Sequence, residues 1–139
     1  MKAGCFGVHV GQEDLVKCIT ARGLDELIKH NLALGVSTHS YGELAAALGV
    51  NPSYISLGPV FGTSSKKVVF DPQGLSTVVK WRQLIPSDMP LVTIGGIGDS
   101  KTARQNKKAG ADCVAVISAV TQSEDVATAV RQLNAAMSE

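Results

Sequence analysis

One loop concentrates the side chains best suited to chemistry. Thr63, Ser64, Ser65, Lys66 and Lys67 put three hydroxyls and two ammonium groups directly after a Gly58-Pro59 break. The residue types alone leave open what this loop holds. Two other stretches suggest a phosphate. Gly95-Gly96 removes side chains, so backbone amides can approach an anion closely. Ser118 is placed to open a short helical turn whose amides and hydroxyl face a phosphate oxygen. Either stretch alone reads equally as a tight turn with a capping serine. Asp14, beside Glu13, suits a magnesium ion next to phosphate, or equally a helix cap. His9 falls within an apolar run and reads as a core residue. His30 ends a helix near its negative pole. His39 follows a strand end, from which it can reach a ligand.

Other chemistries lack their signatures. Gly58 to Lys66 reads GxxxGxxxK, not GxxxxGK[ST], and Gly95 to Gly98 reads GGxG, not GxGxxG. A nucleotide cofactor is therefore not supported. No serine sits in a nucleophile-elbow context. Cys5, Cys18 and Cys113 are odd in number and form no CxxC pair, so they read as buried thiols of a reducing compartment. The net charge of +1 and 4% aromatic content argue against nucleic acid. No apolar run approaches the roughly 20 residues that span a bilayer, and the N-terminus carries no signal-peptide pattern. The expectation is a cytoplasmic globular protein, with 45% hydrophobic and 18% charged residues in a chain of 139.

The elements that must position these residues alternate along the chain. Five apolar runs read as buried strands: Gly7–Val10, Leu34–Ser37, Tyr54–Leu57, Leu91–Ile94 and Cys113–Ile117. Helical stretches separate them. Leu15 to His30 is helical in composition and broken by Gly23. Ser40 and Glu43 form a capping box for the helix beginning there. "LSTVVKWRQLI" carries an apolar stripe of Val78, Val79 and Leu84. "SKTARQNKKAG" has Asp99 as N-cap and Gly110 as its stop. "EDVATAVRQLNAAM" has acids in its first turn. The pattern predicts one α/β domain over residues 1–139, with a parallel sheet and right-handed crossovers. The repeat is about 28 residues, which suits one-eighth of a (β/α)8 barrel. Five strands also suit an open, flavodoxin-like sheet. In both architectures ligands bind at the carboxyl ends of strands, where Gly11 to Asp14, Ser37 to Ser40, the 58–67 loop, Gly95 to Gly98 and Ser118-Ala119 all fall.

Six collinear motifs carry a resemblance: "GVHVGQEDL", "LGVSTHS", "SYISLGPVFGTSSK", "PQGL", "PLVTIGGI" and "AGADCVAVISAV". Together they resemble the thiamine phosphate synthase family over essentially the whole chain. The resemblance implies a (β/α)8 TIM barrel, of which this chain is the last five βα units, truncated by about three units at the N-terminus. It implies a transferase of thiamine biosynthesis. Such an enzyme joins 4-amino-5-hydroxymethyl-2-methylpyrimidine diphosphate to 4-methyl-5-hydroxyethylthiazole phosphate, with Mg2+ as cofactor. It assigns Asp14 to magnesium, and Ser37 and Lys66 to the pyrimidine diphosphate as the catalytic pair. Thr63, Ser64 and Ser65 then bind the thiazole phosphate, with Gly96, Ile117 and Ser118 completing its cradle.

The sequence departs from the family in two ways. Gly62 stands where the loop usually has proline and Ser65 where it has a second threonine, so weaker phosphate affinity is expected. The family's Gln/Arg/Lys cluster and Asn-Asp pair, which serve the pyrimidine diphosphate and magnesium, are not in this chain. The expectation is therefore little or no activity alone, with self-association or a complementary N-terminal segment as partner. The related thiazole tautomerase, with His39 as acid/base, and a non-catalytic phosphate-binding or assembly module are the alternatives.

Overall fold

The computed structural model describes residues 4–63 and 70–138. Its elements alternate as the sequence predicts: β1 (Gly7–Val10), α1 (Gln12–Thr20), α2 (Gly23–Lys29), β2 (Ala33–Thr38), α3 (Tyr41–Leu48), β3 (Tyr54–Leu57), α4 (Gly74–Leu84), β4 (Leu91–Ile94), α5 (Ser100–Lys108), β5 (Cys113–Ala115), α6 (Ser118–Thr121) and α7 (Val126–Ser138). The strand order is sequential, β1-β2-β3-β4-β5, in a five-stranded parallel sheet. Sequential parallel order with a helical connection after each strand is the winding of βα-repeat folds. By contact the chain divides into two compact units, Met1–Ser56 and Leu57–Glu139.

In the first unit, β1 pairs with β2 in the register Gly7↔Ala33 to Val10↔Val36. Leu34 and Val36 of β2, Leu15 of α1, and Leu44 and Ala47 of α3 are buried. The helical stretch after β1 breaks at Gly23, as the sequence predicts, and forms two helices. Arg22 adopts a left-handed backbone (φ 55) and ends the first path, so Gly23 starts α2. Ser40 caps α3, accepting from the Glu43 amide at 3.3 Å. Glu43 reaches back to the amide of His39, one residue before the cap.

In the second unit, Asp99 and Thr102 complete a capping box at α5. Ile97, Ala103, Leu133 and Ala136 form a core cluster, against which Phe61, Val114, Ala119 and Val120 pack. On α4 the expected stripe is only partly right. Val78 is buried, but Val79 and Leu84 are exposed, and Trp81 takes the inward position at 1% exposure. A spacing of three from Val78 to Trp81 keeps both on one helix face, whereas Val79 turns away. β5 stops at Ala115, two residues short of the predicted run. The acids before α7 lie outside its first turn, and Asp125 instead accepts from the Thr128 amide at 2.9 Å. The thiols are not buried as expected: Cys5 and Cys113 are exposed and Cys18 is half-buried.

Candidate functional site

The Leu57–Glu139 unit gathers most of the predicted phosphate residues. The loop after β3 is stapled by its own backbone. The Val60 amide donates to the Ile94 carbonyl at 2.9 Å, and the Phe61 amide to that of Gly95 at 3.0 Å. The Gln73 and Gly74 amides donate to the carbonyls of Pro59 and Val60 at 2.8 and 2.9 Å, which ties the loop to the start of α4. This seating depends on the two glycines after β4. Gly95 and Gly96 have φ of 97 and 68, a region that side chains rarely adopt. A Cβ on Gly96 would sit 2.5 Å from the Gly62 carbonyl oxygen and 2.6 Å from Phe61 Cβ. The glycines thus make room for the loop, a packing role distinct from both the anion approach and the tight turn that the sequence suggests.

Phe61, Ala119 and Val120 rest on the same core cluster as Ile97. Phe61, Ile97 and Ala119, close in sequence to Thr63, Gly96 and Ser118, thus share one core cluster. Ile117 is the N-cap residue of α6 and is 53% exposed, and Ser118 is its first residue. Ser64, Ser65 and Lys66, with Lys67, lie outside the described residues.

The Met1–Ser56 unit holds a different kind of site. His9 Nδ1 is hydrogen-bonded to the Tyr54 hydroxyl at 2.8 Å, and its Nε2 to Ser37 Oγ at 2.7 Å. The His9 and Tyr54 rings stack with centroids 5.5 Å apart at 22°. Gln12 Nε2 donates to the Ser37 carbonyl at 2.6 Å. Sequence reasoning placed His9 in the core. It is exposed instead, and partial desolvation holds its pKa below the usual 6.5. Strand periodicity could not reveal this cluster, because His9 and Tyr54 are 45 residues apart.

Asp14 does not flank a strand end as a free carboxylate. It lies in the first turn of α1, exposed, with Lys17 Nζ 3.0 Å from its Oδ1. It is not a cap either, since Gly11 holds that position without a side-chain bond. The Asp14 carboxylate raises the Lys17 pKa, chiefly through this hydrogen bond. Among the described residues no group of three or more His, Cys, Asp or Glu could hold a metal ion. His39 is paired with Glu43, whose Oε2 lies 2.9 Å from Nδ1 and accepts from the His39 amide at 2.6 Å. His30 caps the end of α2, with Nε2 3.4 Å from Glu26.

The thiamine monophosphate synthase family model matches residues 1–120. The chain belongs to the thiamine monophosphate synthase family. Two curated relatives, both thiamine-phosphate synthases, support the assignment. The protein of Serratia proteamaculans is 44% identical over 135 residues, covering 96% of this chain and 60% of the relative. That of Rhizobium etli is 40% identical over 133 residues, covering 96% and 62%. A solved thiamine phosphate pyrophosphorylase from Pyrococcus furiosus superposes with a TM-score of 0.74 at 32% identity, over 96% of this chain and 60% of that one. The fold extends to a 3-hexulose-6-phosphate synthase, with a TM-score of 0.71 at 23% identity. The chain thus spans about three-fifths of the length of the family members it matches. Among the described residues no helix is long and apolar enough to cross a membrane.

Proposed function

We propose that this chain carries the thiazole-phosphate half of a thiamine phosphate synthase site and only part of its pyrimidine half. The observation that supports the reading is the stapling of the 58–63 loop to Gly95 and its packing with α6 on the Ile97 cluster. Thr63, Ser64, Ser65, Gly96, Ile117 and Ser118 would receive the thiazole phosphate. Ser37 and Lys66 would meet the pyrimidine diphosphate.

The proposed reaction breaks the bond between the pyrimidine methylene and diphosphate, and the diphosphate keeps the electron pair. The aminopyrimidine ring nitrogens stabilise the resulting cation, and the thiazole nitrogen lone pair forms the new C–N bond. The chain's tasks are to neutralise departing charge and to hold the thiazole nitrogen in place. No protein nucleophile is required. Magnesium, when bound, supplies charge neutralisation at the diphosphate. Asp14 would hold it as a single carboxylate beside substrate phosphates, in competition with Lys17, whose Nζ lies 3.0 Å from its Oδ1.

Purified chain, both substrates and magnesium test the reading, with thiamine phosphate as the readout. The expectation is little or no product from residues 1–139 alone. Addition of the N-terminal three βα units of a thiamine-phosphate synthase should raise it. Robust turnover by the chain alone would refute the half-site reading. Self-association or a complementary segment is the corresponding partner expectation, since Phe6 beside β1 is 86% exposed and Val8 within it is 38% exposed. A stable monomer in sedimentation would count against it.

A second reading is favoured by the His39–Glu43 pair. A carboxylate that orients an imidazole suits acid/base chemistry, as a thiazole tautomerase would need. Isomerisation of the thiazole carboxylate phosphate without any pyrimidine substrate would select this reading.

A further inference from the structure

The His9, Ser37 and Tyr54 cluster carries an inference that rests on the reading of Ser37 as a diphosphate contact. We infer that Tyr54 locks His9 as its Nε2–H tautomer, so that Ser37 turns its hydroxyl proton toward an anionic ligand. His9 is then a positioning residue that acts through Ser37.

Three adjacent strands build the relay. His9 of β1 is the register partner of Gly35 of β2. Gly35 has no side chain, and a Cβ there would overlap the Tyr54 ring. The ring therefore lies over Gly35 and stacks on His9. Ser37 is two residues beyond Gly35 and so projects from the same face of β2. Its carbonyl is held by Gln12.

A neutral imidazole has one donor and one acceptor nitrogen. Only two arrangements of the relay satisfy both bonds. In one, Tyr54 O–H donates to Nδ1 and Nε2–H donates to Ser37 Oγ, which leaves the serine proton available. In the other, Nδ1–H donates to the phenol oxygen and Ser37 donates to Nε2, which leaves the serine only lone pairs. A phenol, with a pKa of about 10, is a stronger donor and a weaker acceptor than an aliphatic hydroxyl. The pairing therefore favours the first arrangement. A diphosphate oxygen is acceptor-only and needs the proton that this arrangement frees.

Two measurements on the full chain test the inference. Long-range 1H–15N NMR of the imidazole should show Nε2–H in the wild type and a shift toward Nδ1–H in Tyr54→Phe, which keeps the ring. An Nδ1–H wild type overturns the tautomer assignment, whatever the ligand. Calorimetric titration with inorganic diphosphate and magnesium forms the second arm. His9→Asn should weaken binding about tenfold, the loss of roughly one charge-assisted hydrogen bond. In a Ser37→Ala background it should cost nothing further. Losses that multiply would mean His9 acts independently of Ser37 and would overturn the relay. If diphosphate does not bind, or if Ser37→Ala binds it unchanged, the reading of Ser37 itself fails while the tautomer result stands. Circular dichroism of each variant confirms that the chain remains folded.

Discussion

The two units build their candidate sites from different materials. Residues 57–138 hold their loop with backbone amides and two left-handed glycines, and what they would present to a ligand is small side chains and main chain. Residues 4–56 hold theirs with side chains joined across strands: an imidazole, a phenol, a hydroxyl and a carboxamide. A backbone site is fixed by sterics and is indifferent to pH. A side-chain relay is fixed by hydrogen-bond direction and titrates with its histidine. The first should break when space is filled, and the second when a proton is added.

The largest effect is expected at Gly96. Gly96→Val forces a β-branched residue to a φ of 68 and drives its Cβ into Gly62 and Phe61. A loss of about 3 kcal/mol is expected in urea unfolding of the chain, from backbone strain and overpacking together. A loss below about 1 kcal/mol would show that the loop can leave its seat at little cost, and the contrast between the units would fail.

Gly35 offers the matching test in the other unit. Gly35→Ala pushes against the Tyr54 ring and should cost about 1–2 kcal/mol. The obstacle there is a side chain rather than backbone, so the penalty should shrink in a Tyr54→Leu background. An equal penalty in both backgrounds would place the strain elsewhere.

The same difference explains what the sequence disclosed. Backbone sites announce themselves locally. Gly58-Pro59 and Gly95-Gly96 punctuate the chain, so β3 and β4 were placed at their observed limits and the loop was legible as a site. Asp99 and Gly110 were legible for the same reason, as cap and stop of α5. The side-chain relay depends on strand register, which local pattern does not encode. Ser37 and Tyr54 meet His9 across 28 and 45 residues. His9 looked like core because its run is apolar, yet β1 leaves Val8 and His9 on exposed ground. Cys113 departs from the burial usual for its type because it lies at an exposed position of β5. Asp14 was placed at a strand end because nothing in "GQED" signals that α1 starts at Gln12. The family assignment drew on motif order along the whole chain, which survives such local errors.

A smaller effect sharpens the pH side of the contrast. Asp99→Ala should cost about 1 kcal/mol, the usual value of a helix N-cap, because Asp99 accepts from the Thr102 amide at 2.7 Å. That bond, followed by the Thr102 hydroxyl, lowers the Asp99 pKa below 3.8. Asp125 is lowered likewise, first by the Thr128 hydroxyl and then by its amide. A carboxylate lowered on folding stabilises above its unfolded pKa and loses that contribution as pH falls through the folded value. The contribution of these two carboxylates is therefore lost only as pH falls below about 3.8. Protection factors of the α5 amides, corrected for the intrinsic pH dependence of exchange, should be unchanged from pH 7 to 5 and should fall near pH 3.

Acid should reach residues 4–56 first, although with the smallest effect. His9 is held below 6.5 by partial desolvation, so the unfolded chain takes up its proton before the folded chain does. Stability then falls as pH drops from about 6.5 toward the folded pKa and levels off below it. Protonation also places donors on both ring nitrogens, which removes the acceptor that the Tyr54 hydroxyl uses in the proposed tautomer. Protection factors of the β1 and β2 amides should fall between pH 7 and pH 5.5, while those of β4 and β5 stay flat. His9→Asn should abolish this difference, because Asn cannot take up a proton in that range. The other ionisable groups in the unit that bear on the test are His30 beside Glu26 and His39 beside Glu43. A pH response that persists in His9→Asn and disappears in His39→Asn would move the acid sensor to the start of α3 and separate it from Ser37.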